Sequence, residues 1–172
     1  QEALLAATFS PKYAGIIIMS DLNGANLFPL TVQRMNIYTD PQRPMATSEG
    51  IYEINNPDEN SPVLITSNFS LTYFVVSGEV ETSRMPAWLL IKDTEGLSVL
   101  TAWAAGKFVA DAIGPFVKKS GIEEKVKHRT LIIPGLTATI SGDLEEELPD
   151  WTIQIGPREA AHLTPFLKNW KA

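Results

Sequence analysis

The chain contains no cysteine, and only two of its 172 residues are histidine. The two histidines, His128 and His162, are too few for a histidine-rich metal site, and we interpret them as surface or packing residues. Without cysteine the chain can form no disulfide bond, and it has no thiol nucleophile. Thiolate metal sites are excluded as well, including any cysteine-held iron–sulfur cluster.

Positive charge and long apolar stretches are also scarce. Fourteen lysines and arginines against 20 acidic residues leave a formal net charge of -6, which argues against a nucleic acid as partner. No apolar run approaches the ~20 residues needed to cross a bilayer, so we expect no membrane span. The N-terminus lacks a basic segment followed by an apolar one, which argues against a signal peptide. The chain starts at Gln1 rather than Met, and we expect a fragment of a longer protein.

The first forty residues predict a piece of a larger domain. Residues 2–9 are typical of a helix end, residues 14–19 form an apolar run that predicts a buried strand, and residues 26–38 predict another helix. A strand buried on both faces needs neighbouring strands and helices, which this segment cannot supply alone. We therefore divide the chain into a domain remnant over 1–40, a linker over 41–61 that is rich in turn formers, and a second domain over 62–172.

From residue 62 onward, strands alternate with helices. Strands are predicted at 63–66, 87–91, 130–133 and 151–155, and helices at 71–80, 98–117, 143–148 and 158–170. The helix over 98–117 should be mostly buried, and Gly114 with Pro115 should end or kink it. Such alternation predicts an α/β fold, a Rossmann-like or flavodoxin-like parallel sheet flanked by helices.

In an open parallel sheet, ligands bind beyond the carboxyl ends of the strands. This rule selects four loops, at residues 66–72, 93–99, 134–137 and 156–161. Gly96, Gly135 and Gly156 would let the backbone approach a ligand closely or take positive φ angles. Glycine, serine and proline also occupy such loops simply to make turns, and no dinucleotide or triphosphate motif and no Ser–His–Asp spacing is present. The residues alone predict a ligand-binding α/β domain and leave the ligand open.

Four segments of the chain, three of which overlap these loops, resemble a known family. The segments NPDENSPVL (56–64), NFSLTYF (68–74), DTEGLSVLTAWAAGK (93–107) and IGPREAAH (155–162) are similar to the cobamide-binding C-terminal domain of the corrinoid iron–sulfur protein large (gamma) subunit. Residues 1–56 resemble the end of the TIM-barrel domain and the linker of the same family. The likeness therefore spans the whole chain.

The resemblance implies a cytoplasmic methyl carrier of anaerobes that use the reductive acetyl-CoA (Wood–Ljungdahl) pathway. Co(I) of a bound cobamide would accept a methyl group from methyltetrahydrofolate, or a methyltetrahydropterin, through a methyltransferase. Methyl-Co(III) would then donate it to acetyl-CoA synthase. The implied partners also include the small subunit and an ATP-dependent reductive activator. The family's [4Fe–4S] cluster would lie in the full-length subunit and not in this chain.

The resemblance also implies that the cobamide is bound base-off and without a histidine ligand, its nucleotide tail threading between the strand ends. The chain lacks the Asp-x-His-x-x-Gly motif of many corrinoid methyltransferases, and omitting a strong axial donor should ease reduction to Co(I). No catalytic residue and no protein metal ligand is assigned, because the chemistry would occur at cobalt. The residues assigned to the cofactor are Thr66, Asn68, Thr72, Thr94, Gly96, Leu97, Ser98, Val99, Gly135, Gly156, Pro157, Arg158, Glu159, Ala160 and Ala161.

Two other functions are compatible with the same residues. The domain could be a protein-docking module, for the small subunit, the methyltransferase or the reductive activator, without a cofactor of its own. It could also be a flavodoxin-like domain that binds flavin or a nucleotide. A visible absorption spectrum separates these alternatives from a corrinoid carrier.

Overall fold

A computed structural model describes residues 1–12, 14–21, 23–37 and 45–171 of the chain. The chain divides into two compact units, Gln1–Arg43 and Pro44–Ala172. No helix among the described residues is long and apolar enough to cross a membrane.

The first unit contains two helices, α1 (Glu2–Phe9) and α2 (Gly24–Ile37), with a 3₁₀ turn at Ser10–Lys12. The carboxylate of Glu2 accepts hydrogen bonds from the backbone N–H and the hydroxyl of Ser20, at 2.7 and 3.0 Å. Near the start of α2, the side-chain oxygen of Asn23 accepts a bond from the backbone N–H of Asn26 at 3.0 Å. The predicted helix over 26–38 therefore begins earlier, at Gly24, while Tyr38 lies outside the described residues.

The predicted strand over residues 14–19 is wrong. These residues form no regular element, and the side chains of Ile16 and Ile18 are 87% and 89% exposed. A strand is stable only when neighbours pair with its backbone groups, and no other strand occurs among the described residues of this unit. An apolar run of this kind predicts a buried strand, but such a strand forms only where other strands are present to pair with it.

The second unit is built on a five-stranded sheet in the order β1-β3-β2-β4-β5. Its strands are β1 (Gly50–Ile54), β2 (Val63–Ser67), β3 (Ala87–Lys92), β4 (Thr130–Ile133) and β5 (Thr152–Ile155). Its helices are α3 (Ser70–Ser83), α4 (Val99–Ala104), α5 (Ala110–Ser120), α6 (Ser141–Glu147) and α7 (Leu163–Lys168). Strands β2 to β5 are parallel, which confirms the predicted Rossmann-like α/β fold.

Both faces of the sheet are buried, which explains the continuous apolar runs in its central strands. Leu64, Leu89 and Ile132 face α3 and α7, where they pack with Val80 and Leu163. The alternate residues of the same strands face α5 and α6 and form the larger core. Its sheet residues include Val63, Ile65, Leu90, Leu131 and Ile133.

Strand β1 was not predicted, because it lies inside the segment assigned to the linker. It pairs antiparallel with β3 from Gly50 opposite Ile91 to Ile54 opposite Ala87. Without β1, strand β3 would present an open edge of unpaired backbone groups. The turn formers on both sides of residues 50–54 concealed a strand that covers this edge.

The long helix predicted over 98–117 is wrong, since α4 and α5 are separate. The chain turns at Gly106, whose φ is +71°, and the backbone N–H groups of Lys107 and Phe108 both bond to the carbonyl of Ala102. This turn places the Phe108 side chain in the core with no exposed surface. Pro115 lies inside α5 and does not end it.

The helix predicted over 158–170 is shorter than expected. Residues Ala160–His162 form a 3₁₀ turn, and only Leu163–Lys168 is α-helical. The residues between β5 and this turn are therefore not helical, and they lie at the end of the sheet.

Candidate functional site

The two central strands part from each other at one end of the sheet. Strands β2 and β4 pair through only two residue pairs, Val63 with Leu131 and Leu64 with Ile132. By contrast, β2 pairs with β3 over five residues, and β4 with β5 over four. Beyond Leu64 and Ile132, the carboxyl ends of β2 and β4 enclose a crevice. The chain order reverses direction between these same two strands, which is where open α/β sheets bind ligands.

A pocket of about 370 Å³ opens at this crevice, and we call it the switch-point pocket. Its volume falls within the range of about 300–1,000 Å³ that is usual for small-molecule sites. Its lining comes from the ends of β2 and β4, the first half of α3, the start of α4 and the loop after β5. The lining residues are Leu64, Ile65, Thr66, Phe69, Leu71, Thr72, Val75, Val76, Ser98, Val99, Leu100, Ile132, Ile133, Pro134, Leu136, Gly156, Pro157, Arg158, Glu159, Ala160 and Leu163.

The most deeply buried part of this lining is almost entirely aliphatic, and we call its aliphatic residues the inner wall. It consists of Leu64, Ile65, Ile132, Ile133 and Leu163, none of them more than 6% exposed. Thr66 is the buried polar side chain of the lining, and its hydroxyl makes no hydrogen bond to any described residue. The inner wall can therefore receive an apolar group, with one hydroxyl available beside it.

The outer part of the lining, which we call the mouth, carries polar and exposed apolar side chains together. Thr72 and Ser98 are half-buried, and Arg158 and Glu159 are exposed. Within the described part of the chain the Arg158 guanidinium has no ion pair, whereas Lys92 and Lys107 pair with Glu49 and Glu95. A free guanidinium at a pocket mouth is suited to an anionic group such as a phosphate.

Asn68 does not line the pocket but holds one of its walls in place. Its buried side-chain oxygen accepts hydrogen bonds from the backbone N–H groups of Thr94 and Gly96, at 3.0 and 2.9 Å. The Thr94 hydroxyl lies 2.9 Å from the same oxygen and 2.8 Å from the carbonyl oxygen of Leu97. The Asn68 amide nitrogen donates to Asp93 at 2.8 Å. These bonds tie the end of β2 to the turn after β3.

The turn that Asn68 holds leads directly into the wall formed by Ser98 and Val99. Glu95 and Gly96 have φ angles of +57° and +75°, so the backbone reverses sharply there. Ser98 occupies the N-cap position of α4 without a side-chain capping bond, and its hydroxyl lies 3.1 Å from that of Thr101. The turn that contains Thr94, Gly96 and Leu97 therefore positions Ser98 and Val99, which line the pocket.

Gly135 and Gly156 join two loops to each other. The Gly135 N–H donates to the carbonyl of Pro157 at 3.1 Å, and the Gly156 N–H donates to that of Ile133 at 2.9 Å. A Cβ on Gly135 would lie 2.5 Å from the carbonyl oxygen of Gly156. Neither glycine has a positive φ, so the expectation of a left-handed turn is wrong for both. Their lack of a side chain lets the loops after β4 and β5 touch.

Outside the pocket, two groups have pKa values that local contacts displace. Burial raises the pKa of Tyr73, whose ring lies 5.1 Å from that of Tyr52, and the nearby Tyr52 and Glu81 raise it further. A hydrogen bond from the Ser61 hydroxyl lowers the pKa of Asp58. Both shifts follow from packing and turn structure, and neither group faces the pocket.

The structure brings nine of the fifteen sequence-assigned residues into the lining: Thr66, Thr72, Ser98, Val99, Gly156, Pro157, Arg158, Glu159 and Ala160. The other six do not line it: Asn68, Thr94, Gly96, Leu97, Gly135 and Ala161. Sequence reasoning missed the aliphatic inner wall and the apolar side of α3. Leu71 and Val75, four residues apart and exposed on one helix face, were the available signal.

Comparison with known proteins identifies relatives over nearly the whole chain. The sequence profile of the family described as the CO dehydrogenase/acetyl-CoA synthase delta subunit matches residues 2–167. The corrinoid/iron-sulfur protein large subunit of Moorella thermoacetica is 45% identical over 167 residues, which are 97% of this chain and 37% of that protein. The gamma subunit of the acetyl-CoA decarbonylase/synthase complex of Methanopyrus kandleri is 41% identical over 98% of this chain and 36% of that protein.

The gamma subunit of Methanothermobacter thermautotrophicus is 40% identical, again over 97% of this chain and 36% of that protein. The chain thus spans little more than a third of the length of these relatives. The resemblance found in the sequence is confirmed: the chain belongs to the family of CO dehydrogenase/acetyl-CoA synthase subunits that includes the corrinoid/iron-sulfur protein large subunit and the acetyl-CoA decarbonylase/synthase gamma subunits.

Proposed function

We propose that the second unit binds the nucleotide tail of a base-off cobamide in the switch-point pocket and presents the corrinoid as a methyl carrier. The observation that carries this proposal is the pocket between the parted ends of β2 and β4. The name of the Moorella relative, a corrinoid/iron-sulfur protein, supplies the class of ligand. When bound, the cobamide would supply a cobalt centre that can accept a methyl group and pass it on.

The lining fits a nucleotide tail in chemistry and in size. The inner wall is aliphatic and suits a flat aromatic base, with the Thr66 hydroxyl beside it, while the hydroxyls of Thr72 and Ser98 at the mouth can bond to the ribose and phosphate oxygens. Arg158 would pair with the phosphate at the mouth. A pocket of about 370 Å³ has room for the tail and leaves the much larger corrin macrocycle outside.

The assigned residues that do not line the pocket keep a role in this proposal as positioning residues. Asn68 and Thr94 hold the turn that carries Ser98 and Val99. Gly135 holds the loop after β5, including Arg158, against the end of β4. The pocket is thereby formed before the ligand arrives, which lowers the ordering cost of binding.

The remaining expectations concern the whole protein, of which this chain spans a part, and they stay proposals. Residues 1–40 would be the end of a TIM barrel, residues 41–61 a linker, and 62–172 the cobamide domain. The methyl donor would be methyltetrahydrofolate or a methyltetrahydropterin acting through a methyltransferase, and the acceptor acetyl-CoA synthase. The small subunit and an ATP-dependent reductive activator would be further partners, and the cytoplasm the compartment.

A double variant tests the proposed tail site. Thr66→Val with Thr72→Val removes two hydroxyls and keeps the shape of the side chains. We expect cobalamin to bind about 5- to 100-fold more weakly, because each lost hydrogen bond costs about 0.5–1.5 kcal/mol. The measurement is a titration of the purified chain with cobalamin, followed by visible absorption.

The matched control is Thr82→Val with Thr152→Val, two exposed positions that do not line the pocket. The control should bind cobalamin as the parent chain does. Equal affinity of the Thr66/Thr72 variant and the parent chain would contradict the proposed tail site.

A second candidate function is a protein-docking module. The observation that favours it is the group of exposed apolar side chains around the mouth: Leu71 and Phe74 are 62% and 64% exposed, and Leu100 and Trp103 are 46% and 41% exposed. Cobalt content separates the two functions, because a docking module would remain colourless after incubation with cobamide and removal of the excess.

A further inference from the structure

Polar groups are distributed unevenly inside the switch-point pocket. The five side chains of the inner wall carry no hydrogen-bonding atom, and Thr66 supplies the single buried hydroxyl. Thr72, Ser98, Arg158 and Glu159 are all half-buried or exposed. A ligand group that enters the buried end would meet one side-chain hydrogen-bonding partner.

Main-chain groups near the inner wall are also engaged with each other. The carbonyl of Ile133 accepts from the N–H of Gly156, and the N–H of Gly135 donates to the carbonyl of Pro157. These bonds hold the two loops together and leave those groups committed. The two N–H groups are therefore unavailable as donors to a ligand, and each of the two carbonyls already accepts one bond.

We propose that the pocket selects cobamides by their lower base, and that it accepts a benzimidazole and discriminates against a purine such as adenine. This inference rests on the proposed function, since it concerns the base at the end of the same nucleotide tail. Both bases carry one imidazole nitrogen that the Thr66 hydroxyl can satisfy. They differ in the six-membered ring, which contains only carbon in benzimidazole but two nitrogens and an amino group in adenine.

The physical reason for discrimination is the cost of burying polar atoms without partners. Dimethylbenzimidazole places carbon and methyl groups against the aliphatic inner wall, which favours binding. Adenine would place its ring nitrogens and its amino group there, and each would lose hydrogen bonds to water. The expected preference for the benzimidazole is about tenfold or more in affinity, since one unsatisfied buried polar group already costs that much.

Three ligands test the inference on the full chain: cobalamin, which carries dimethylbenzimidazole; pseudocobalamin, which carries adenine; and cobinamide, which has no nucleotide tail. Affinities are measured by absorption titration in one buffer. Because adenine leaves cobalt more easily than dimethylbenzimidazole, each affinity is corrected for the base-off fraction of the free ligand.

The order of affinities separates this inference from the proposed function. Cobalamin tighter than pseudocobalamin by about tenfold or more, with cobinamide weakest, supports both. Equal affinities for cobalamin and pseudocobalamin, both tighter than cobinamide, would overturn the base selection and leave the tail site standing. Equal affinities for all three, or no binding of any, would overturn the tail site and the selection with it.

A pair of variants on α3 tests whether the inner wall causes the preference for cobalamin over pseudocobalamin. Val76 lines the pocket and packs against the cluster that contains Leu64, Ile132 and Leu163, so Val76→Asn introduces a polar partner there. We expect the preference for cobalamin over pseudocobalamin to fall about threefold or more. Thr82→Asn, at an exposed position of the same helix outside the lining, should leave the preference unchanged. An unchanged preference in a folded Val76→Asn chain would contradict the assignment to the inner wall.

Discussion

Two apolar runs of the chain, one in each unit, differ in secondary structure and in exposure to solvent. Residues 89–91 of β3 are fully buried between two neighbouring strands and two layers of helices. Residues 16–18 have a similar composition, yet they form no strand, and Ile16 and Ile18 are almost fully exposed. The difference lies in the partners, because the first unit offers no other strand among its described residues.

In this chain, a run of apolar residues forms a strand only where a sheet supplies the strands that pair with it. The interior strands β3, β2 and β4 have a neighbouring strand on each side and both faces covered, so apolar side chains there contribute to stability through burial. The same side chains in the first unit remain in contact with water. Substitutions at matched residue types in the two units should therefore have different costs.

Tryptophan fluorescence can follow the second unit alone. All four tryptophans of the chain, Trp88, Trp103, Trp151 and Trp170, lie within it. Denaturant unfolding monitored in this way reports the stability of the sheet without a contribution from the first unit.

The largest expected effect comes from the same substitution in the two runs. Ile91→Ala in β3 should lower the free energy of unfolding by about 2–5 kcal/mol, because the side chain is fully buried and its removal leaves a cavity. Ile18→Ala should leave the tryptophan-monitored transition within about 0.5 kcal/mol of the parent, because that side chain is 89% exposed. Similar decreases in the free energy of unfolding for both variants would contradict the conclusion that only the run in β3 is stabilised by burial in the sheet.

A smaller effect is expected from two asparagines. Asn68→Ala should destabilise the second unit by about 1–3 kcal/mol, because it leaves the buried N–H groups of Thr94 and Gly96 without an acceptor. It should also weaken cobalamin binding, since the wall formed by Ser98 and Val99 loses its anchor. The control is Asn23→Ala, which removes an exposed acceptor at the start of α2 and should not shift the tryptophan transition. A folded Asn68→Ala chain of full stability and full cobalamin affinity would overturn the positioning role.

The sequence predicted the parallel strands to within a residue, and in β2, β3 and β4 the apolar runs reflect burial on both faces. It did not predict β1, whose role depends on an open edge of β3 that is visible only once the sheet is assembled. The break between α4 and α5 was also missed. Gly106 is compatible with a helix, and what ends α4 is the burial of Phe108 in the core.

The candidate site was predictable in its loops and not in its inner wall. The carboxyl-end rule selected the segments that contain Thr66, Thr72, Ser98 and Arg158, all of which line the pocket. The inner wall arises because β2 and β4 part after two residue pairs, and strand register of this kind is set by tertiary packing. The sequence likewise could not show that the Asn68 amide bonds to the neighbouring turn.

The proposed tail site is tested most directly by the visible absorption spectrum of the chain after incubation with cobalamin at neutral pH and removal of the excess. In free cobalamin at this pH the dimethylbenzimidazole coordinates the cobalt, so the spectrum reports where the base lies. We predict that the chain retains cobalamin with a base-off spectrum, because the tail would occupy the switch-point pocket. A colourless chain, or retained cobalamin with a base-on spectrum, would contradict the account.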